Sequence, residues 1–293
     1  MTAALAWASA LLLLLALGAC AVRSPASVIN ALASANSLQS ATGLAYGRLP
    51  RQRLDLYLPR GSAPAGGYPV VVFFYGGSWN RGERAEYRFV GEALAARGVI
   101  TLVADYRLYP EVRYPDFLDD CALALAWGLR EAGRLGGNPQ RVFVMGHSAG
   151  AYNAAMLALD PSRLAPTGFG PQALAGWIGL AGPYDFLPIV NPDARPVFFH
   201  PDYPPGTQPL EHAGAGAPRS FLAAAETDVL VNPQRNSVQL AQKLRRAGVP
   251  VDLHLYPRVN HITLVAAMAW PLRGLAPVLD DVVGFIEAAP AQR

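Results

Sequence analysis

The stretch most able to do chemistry is Gly146-His147-Ser148-Ala149-Gly150, a serine hydroxyl set between small residues. A strand pattern, Arg141-Val-Phe-Val-Met145, runs into it, and a helix pattern, Ala151 to Ala158, runs out of it. A tight strand-to-helix turn needs small flanking residues and lifts the serine Oγ above a sheet. The new helix adds its positive end beneath a developing anion. A serine attacks a carbonyl only with a base beside it, and in this kind of turn the partners follow in the order Ser, acid, His. Of the five histidines, His147 is in the turn itself, His200 and His212 lie in an irregular stretch, and His254 is inside a strand pattern. His261, in Arg258-Val-Asn-His261, lies just past the last strand pattern, where a loop can swing it over Ser148. For the acid, Asp228 directly follows the strand pattern Phe221 to Ala225, at the edge where open α/β sheets place their sites. Asp185 is the weaker substitute. The carboxylate would accept the Nδ1–H of His261, fixing its tautomer and stabilising the imidazolium.

Acyl chemistry also needs donors for a tetrahedral oxyanion. Tyr75-Gly76-Gly77-Ser78-Trp79 follows the continuous apolar run Val70 to Phe74, and its two glycines let backbone N–H groups come close to a carbonyl oxygen.

The elements that must position these groups read as alternating strands and helices. Strand patterns fall at 54–58, 70–74, 99–104, 142–145, 177–180, 221–225 and 251–256, and helix patterns at 84–97, 115–134, 149–159, 233–247 and 273–288. That alternation predicts an α/β fold, a mostly parallel central sheet with helices on both faces. The stretch from Gly182 to Pro218 interrupts it and is dense in proline, so a short irregular segment is expected over the site. It is too rich in proline for an amphipathic lid helix. Its aromatic residues Tyr184, Phe186, Phe198, Phe199 and Tyr203, with Trp79, are expected to wall a compact substrate pocket, Trp79, Tyr184 and Phe186 foremost.

Composition removes other classes. With 52% hydrophobic and 15% charged residues the chain has ample material for a core and is not a disordered protein. The net charge of +3 is spread thinly, with no basic face for nucleic acid. From Met1 to Val22 there is no charged side chain, and the run Leu11 to Leu15 closes on Leu17-Gly18-Ala19-Cys20. This reads as an export signal, with an uncleaved anchor and an ordinary cleavage site as the alternatives. The tetrapeptide resembles a bacterial lipobox, which implies lipidation of Cys20 and a membrane-anchored, cell-envelope location. The expected layout is a signal peptide at 1–19, an Ala/Ser-rich tether at 20–45 and a folded domain at 46–293. Cys121, the other cysteine, lies in a helix pattern and reads as packing.

Taken together, the segments resemble the esterase branch of the α/β-hydrolases, whose members carry an HGGxW oxyanion segment and a GHSAG elbow and include bacterial carboxylesterases and kynurenine formamidases. The similarity continues through Asp105-Tyr-Arg-Leu-Tyr-Pro-Glu111, Tyr114-Pro115, Asp120 and Trp127, and covers residues 45 to 288. It implies the α/β-hydrolase fold, oxyanion donors from the backbone of Gly77, Ser78 and Ala149, and a structural ion pair between Arg107 and Asp120. Tyr75 departs from the family's histidine, at a position that supports the oxyanion loop. The expected activity is that of a serine carboxylesterase on a small-molecule ester with a short-chain or aromatic group, Ser148 attacking, His261 relaying the proton and Asp228 orienting it. No metal or organic cofactor is expected. An arylformamidase-like amidase and a noncatalytic binding module on the same fold are the other readings, the latter because a fold does not fix a function.

Overall fold

The computed structural model describes residues 29, 30 and 38–289. Eight strands form one sheet: β1 (Leu38–Ala45), β2 (Arg53–Leu58), β3 (Tyr68–Phe74), β4 (Ile100–Ala104), β5 (Gly137–His147), β6 (Gly176–Leu180), β7 (Ser220–Ala225) and β8 (Val251–Tyr256). Their spatial order is β1-β2-β4-β3-β5-β6-β7-β8. The pairs β1–β2 and β2–β4 are antiparallel, and β4 through β8 run parallel. The longer helices are α1 (Arg88–Ala95), α2 (Asp116–Glu131), α3 (Ala149–Leu159), α4 (Gln239–Arg246), α5 (His261–Ala266) and α6 (Val278–Glu287).

The seven strands legible in the sequence are all present. β3 is the clearest case, since Val70 to Phe74 are fully buried, as a strand covered on both faces requires. At roughly 1.5–3 kcal/mol per buried large apolar side chain, this run and its neighbours in β4, β5 and β6 fix the centre of the molecule. Three of the expected helices begin in tighter or wider turns. A 3-10 turn at Arg84–Tyr87 precedes α1, a π turn at Gln234–Val238 precedes α4, and a 3-10 turn at Trp270–Leu275 is cut off from α6 by Pro277.

Two expectations are corrected. Residues 38–45, assigned to the tether, form β1 and pair with β2 through two register shifts. The hydrogen-bonding edge of β2 recruits them, although their sequence lacks apolar alternation. His261 is not on a free loop but is the first residue of α5. The Asn260 side chain accepts the N–H groups of Ile262 and Thr263, while the Thr263 hydroxyl accepts the Asn260 N–H, a capping box that stops the chain in one conformation. The expected lipidation site, Cys20, and the signal segment lie outside the described residues.

Candidate active site

Because β3, β5 and β7 point the same way, the turns that follow them gather at one edge of the sheet, joined there by the turn after β8. Ser148 follows β5 and has φ 55° and ψ −121°, a conformation costly for a residue with a side chain. Its N–H is held by the Leu180 carbonyl at 2.8 Å. The turn closes because Gly146 and Gly150, two positions to either side of the serine, lack side chains: a Cβ on Gly146 would lie 2.1 Å from the Gly150 carbonyl oxygen. A Cβ on Gly150 would lie 2.0 Å from the Phe74 carbonyl oxygen, and one on Gly76 would lie 2.9 Å from the Ser148 Cβ. The neighbouring strands β3 and β5 therefore bring the Gly76-Gly77 loop against the serine.

His261 Nε2 stands 2.8 Å from Ser148 Oγ, and His261 Nδ1 stands 2.7 Å from Asp228 Oδ2. An ionised carboxylate only accepts, so Nδ1 carries the proton and Nε2 is free to take one from the serine. Asp228 Oδ1 accepts the N–H groups of Leu230 and Val231 at 2.8 and 3.0 Å. Burial pushes this carboxyl's pKa up, but the His261 hydrogen bond and charge, with the two backbone donors, outweigh that and hold it below the usual carboxylate range. Asp185 is otherwise engaged, its carboxylate pairing with Arg235 at 3.2 Å.

The loop after β3 carries Gly77, Ser78 and Trp79, all at positive φ, of 135°, 51° and 58°. Tyr75, in the place of the family's histidine, is fully buried. It stacks on Tyr106 at 4.8 Å, and its hydroxyl accepts a hydrogen bond from Arg51 Nη2 at 2.8 Å. Arg51 also donates to the carbonyls of Gly82 and Tyr106, so the arginine closes the loop's far end through the tyrosine. The anticipated pair of Arg107 and Asp120 is bidentate, at 2.8 and 3.0 Å, and Asp120 also accepts from Gln52 at 2.7 Å. It fastens β4's exit to α2.

Two cavities meet at Ser148. One, of about 340 Å³, is lined by Gly76, Gly77, His147, His261, Ile262 and Val265 among others, with Ile29 on its wall. The second, of about 270 Å³, is lined by Ala149, Trp79, Phe186, Pro188, Ile189 and Asn236 among others. The irregular segment thus walls the site as expected, and Trp79 and Phe186 line it. Tyr184 does not. Its ring is buried edge-on against Trp177, and only its backbone serves the site, donating with Asp185 N–H to Asn236 Oδ1. Phe198 lies beneath Trp79, Phe199 faces Arg113, and Tyr203 is tied to His200 and the Ile189 N–H, so none of these three lines either cavity.

The sequence reading passed over His147. Its Nε2–H donates to the His261 carbonyl at 2.9 Å, and its ring lies 5.1 Å from the His261 ring, so it fixes the backbone that presents the base. Burial, followed by the nearby His261 charge, pushes its pKa down to about 3. The native state thus refuses a proton that the unfolded chain accepts below pH ~6.5, and stability is lost as pH falls from there towards 3. Between pH 7 and pH 5 the expected loss from this residue is about 2 kcal/mol. Urea unfolding at the two pH values should show that drop shrinking in His147→Gln, and an unchanged drop would contradict the assignment.

The strand order, the strained serine turn and the hydrogen-bonded line from Ser148 to Asp228 define an α/β-hydrolase. The BD-FAE family model matches residues 54–187. Carboxylesterase NlhH of Mycobacterium tuberculosis is 31% identical over 238 residues, covering 71% of this chain and 72% of that protein. The chain belongs to the esterase family of the α/β-hydrolases. A probable isoprenylcysteine alpha-carbonyl methylesterase, ICMEL1 of Arabidopsis thaliana, is 30% identical over 267 residues, 83% of this chain but 55% of the relative, so the chain spans little more than half of that protein's length. Among solved structures, the esterase Est2 of Thermogutta terrifontis superposes with a TM-score of 0.68 at 24% identity, over 85% of this chain and 94% of that one, which shows a shared fold.

Proposed function

We propose that this protein is a serine carboxylesterase acting on small esters through an acyl-enzyme. The observation that carries the proposal is the unbroken line Ser148 Oγ, His261 Nε2, His261 Nδ1, Asp228 Oδ2, with contacts of 2.8 and 2.7 Å. In the reaction Ser148 Oγ attacks the ester carbonyl carbon while its proton passes to His261 Nε2. The carbonyl oxygen becomes an oxyanion, received by the backbone N–H groups of Gly77, Ser78 and Ala149 and by the positive end of α3. The C–O bond to the alcohol then breaks as His261 returns the proton to the leaving oxygen. Water, deprotonated by the same nitrogen, attacks the acyl-serine, and the acyl–oxygen bond breaks as His261 returns that proton to Ser148 Oγ and the acid leaves.

The proton return assigns the cavities. The leaving alcohol must lie toward His261, hence in the larger cavity, which His261 lines. The acyl group takes the second cavity, walled by the stacked rings of Trp79 and Phe186, with the pair Asp185–Arg235 and Asn236 among its lining residues. That space suits a compact acyl group, since each further methylene must be covered to contribute its ~0.8 kcal/mol. The highest kcat/KM is expected on acetyl to roughly hexanoyl esters. p-Nitrophenyl esters of increasing length, assayed beside matched anilides, test this. A maximum at dodecanoyl or longer would overturn the pocket assignment, and faster turnover of amides would overturn the ester preference.

We also propose that Cys20 is lipidated and anchors the enzyme on the cell-envelope side of a bacterial membrane. The uncharged run ending in Leu17-Gly18-Ala19-Cys20 supports this reading, and the intact mass of the mature protein tests it.

A further inference from the structure

Four large apolar side chains stand in solvent around the opening above Ser148. Val229 is 94% exposed, Val190 79% and Leu230 68%, and Ile262 is partly exposed. Val190, Val229 and Leu230 border the smaller cavity, and Leu230 and Ile262 border the larger, so the four surround the place where the cavities meet. Val229 and Leu230 directly follow Asp228, and Ile262 directly follows His261. Holding the acid and the base does not require an apolar neighbour turned outward, and clustered exposed apolar groups mark a contact surface.

The charges at the same opening are neutralised locally. Arg81 pairs with Asp193 at 2.6 Å and Arg235 with Asp185 at 3.2 Å. Such a rim carries no unpaired charge from these four residues into an interface, and at headgroup depth the pairs stay hydrated. Ile29, on the wall of the larger cavity, also shows where the N-terminal segment joins the folded part. Cys20 is nine residues before it. At a maximum of ~3.3–3.6 Å per residue, a lipid on Cys20 keeps Ile29 within roughly 30 Å of the bilayer.

We propose that this rim rests on the membrane surface, so that the opening above Ser148 faces the bilayer and receives esters partitioned into it. The inference rests on the anchoring of the chain near Cys20. A second copy of the chain would bury the same side chains, but it would seal both cavities against substrate, whereas a bilayer supplies apolar substrate at the opening. The side chains reach only the headgroup and upper acyl region, so their burial adds to an anchor rather than replacing one.

The test uses the full chain, purified from bacterial membranes and reconstituted with vesicles of phosphatidylethanolamine and phosphatidylglycerol. The photoreactive residue p-benzoylphenylalanine replaces Val229 in one variant. In another it replaces Gln140, exposed near the start of β5 and so at the opposite edge of the sheet. Both positions are on the surface, so neither substitution disturbs the core. Flotation of the vesicles reads the anchor, and the mass of the illuminated protein reads the contact. Expected is flotation of both variants with a phospholipid adduct at 229 and loss of that adduct at 140. Flotation with no lipid adduct at 229 would overturn the rim proposal while leaving the anchor intact. A cross-linked dimer through 229 would overturn it in favour of a second copy. A chain that does not float would overturn both.

Discussion

Ser148→Ala and His261→Ala are each expected to lower ester hydrolysis by ~10³-fold or more, and the double variant is expected to be little worse than either one, because groups that act as a unit do not contribute additively. The distances explain the unity. With Ser148 Oγ 2.8 Å from His261 Nε2, each group is the other's only route to proton transfer in the attack step. Without the base, the serine stays a neutral hydroxyl. Without the serine, the base has water alone to activate. Both changes leave the sheet untouched, since Ser148 sits on a turn and His261 begins a helix capped by Asn260, not by its own side chain. Thermal unfolding close to that of the parent should accompany the loss. A double variant slower than the singles by the product of their effects would show that the two residues act separately.

The second large effect is at Asp228. Asp228→Asn is expected to reduce kcat/KM by roughly 10³–10⁴-fold, because an amide can donate to Nδ1 and so favour the tautomer that leaves Nε2 protonated. The two backbone donors from Leu230 and Val231 would still find an oxygen at this position, which preserves the turn. Asp185→Asn is the informative companion. Its carboxylate is committed to Arg235, so turnover should stay close to that of the parent, with any change confined to acyl-chain preference. Near-normal activity in Asp228→Asn together with collapse in Asp185→Asn would reverse the assignment of the acid.

Much of this site is legible in the sequence because its constraints are local. The turn around Ser148 needs glycine two positions to either side, the Gly76-Gly77 loop must follow a strand buried on both faces, and chain order together with a place just past a strand end selects Asp228 and His261 from their competitors. What is not legible depends on distant packing. Aromatic identity in the irregular segment does not tell which ring turns toward the cavity, and Tyr184 is drawn into the core by Trp177 while Phe186 is left at the wall. The larger cavity draws on Ile29, Tyr87 and Val265, far apart in the chain, and no motif announces it. His147 escaped because a histidine in the x position of the turn reads as filler until its contact with the His261 carbonyl is seen. The start of α5 did carry a signal, Asn260 with Thr263 three residues on, which a search for caps at each predicted strand end would find. β1 carried none, because its place is set by the open edge of β2.

Covalent labelling with a fluorophosphonate decides whether Ser148 is the nucleophile. Ser148 Oγ displaces fluoride from the phosphorus as its proton passes to His261, the same activation that ester attack requires, and peptide mass spectrometry then locates the adduct. A single adduct on Ser148 is expected, absent from Ser148→Ala and formed far more slowly in His261→Ala. Undiminished ester hydrolysis after complete labelling elsewhere, or a parent enzyme that hydrolyses esters yet takes no label at Ser148, would contradict that role.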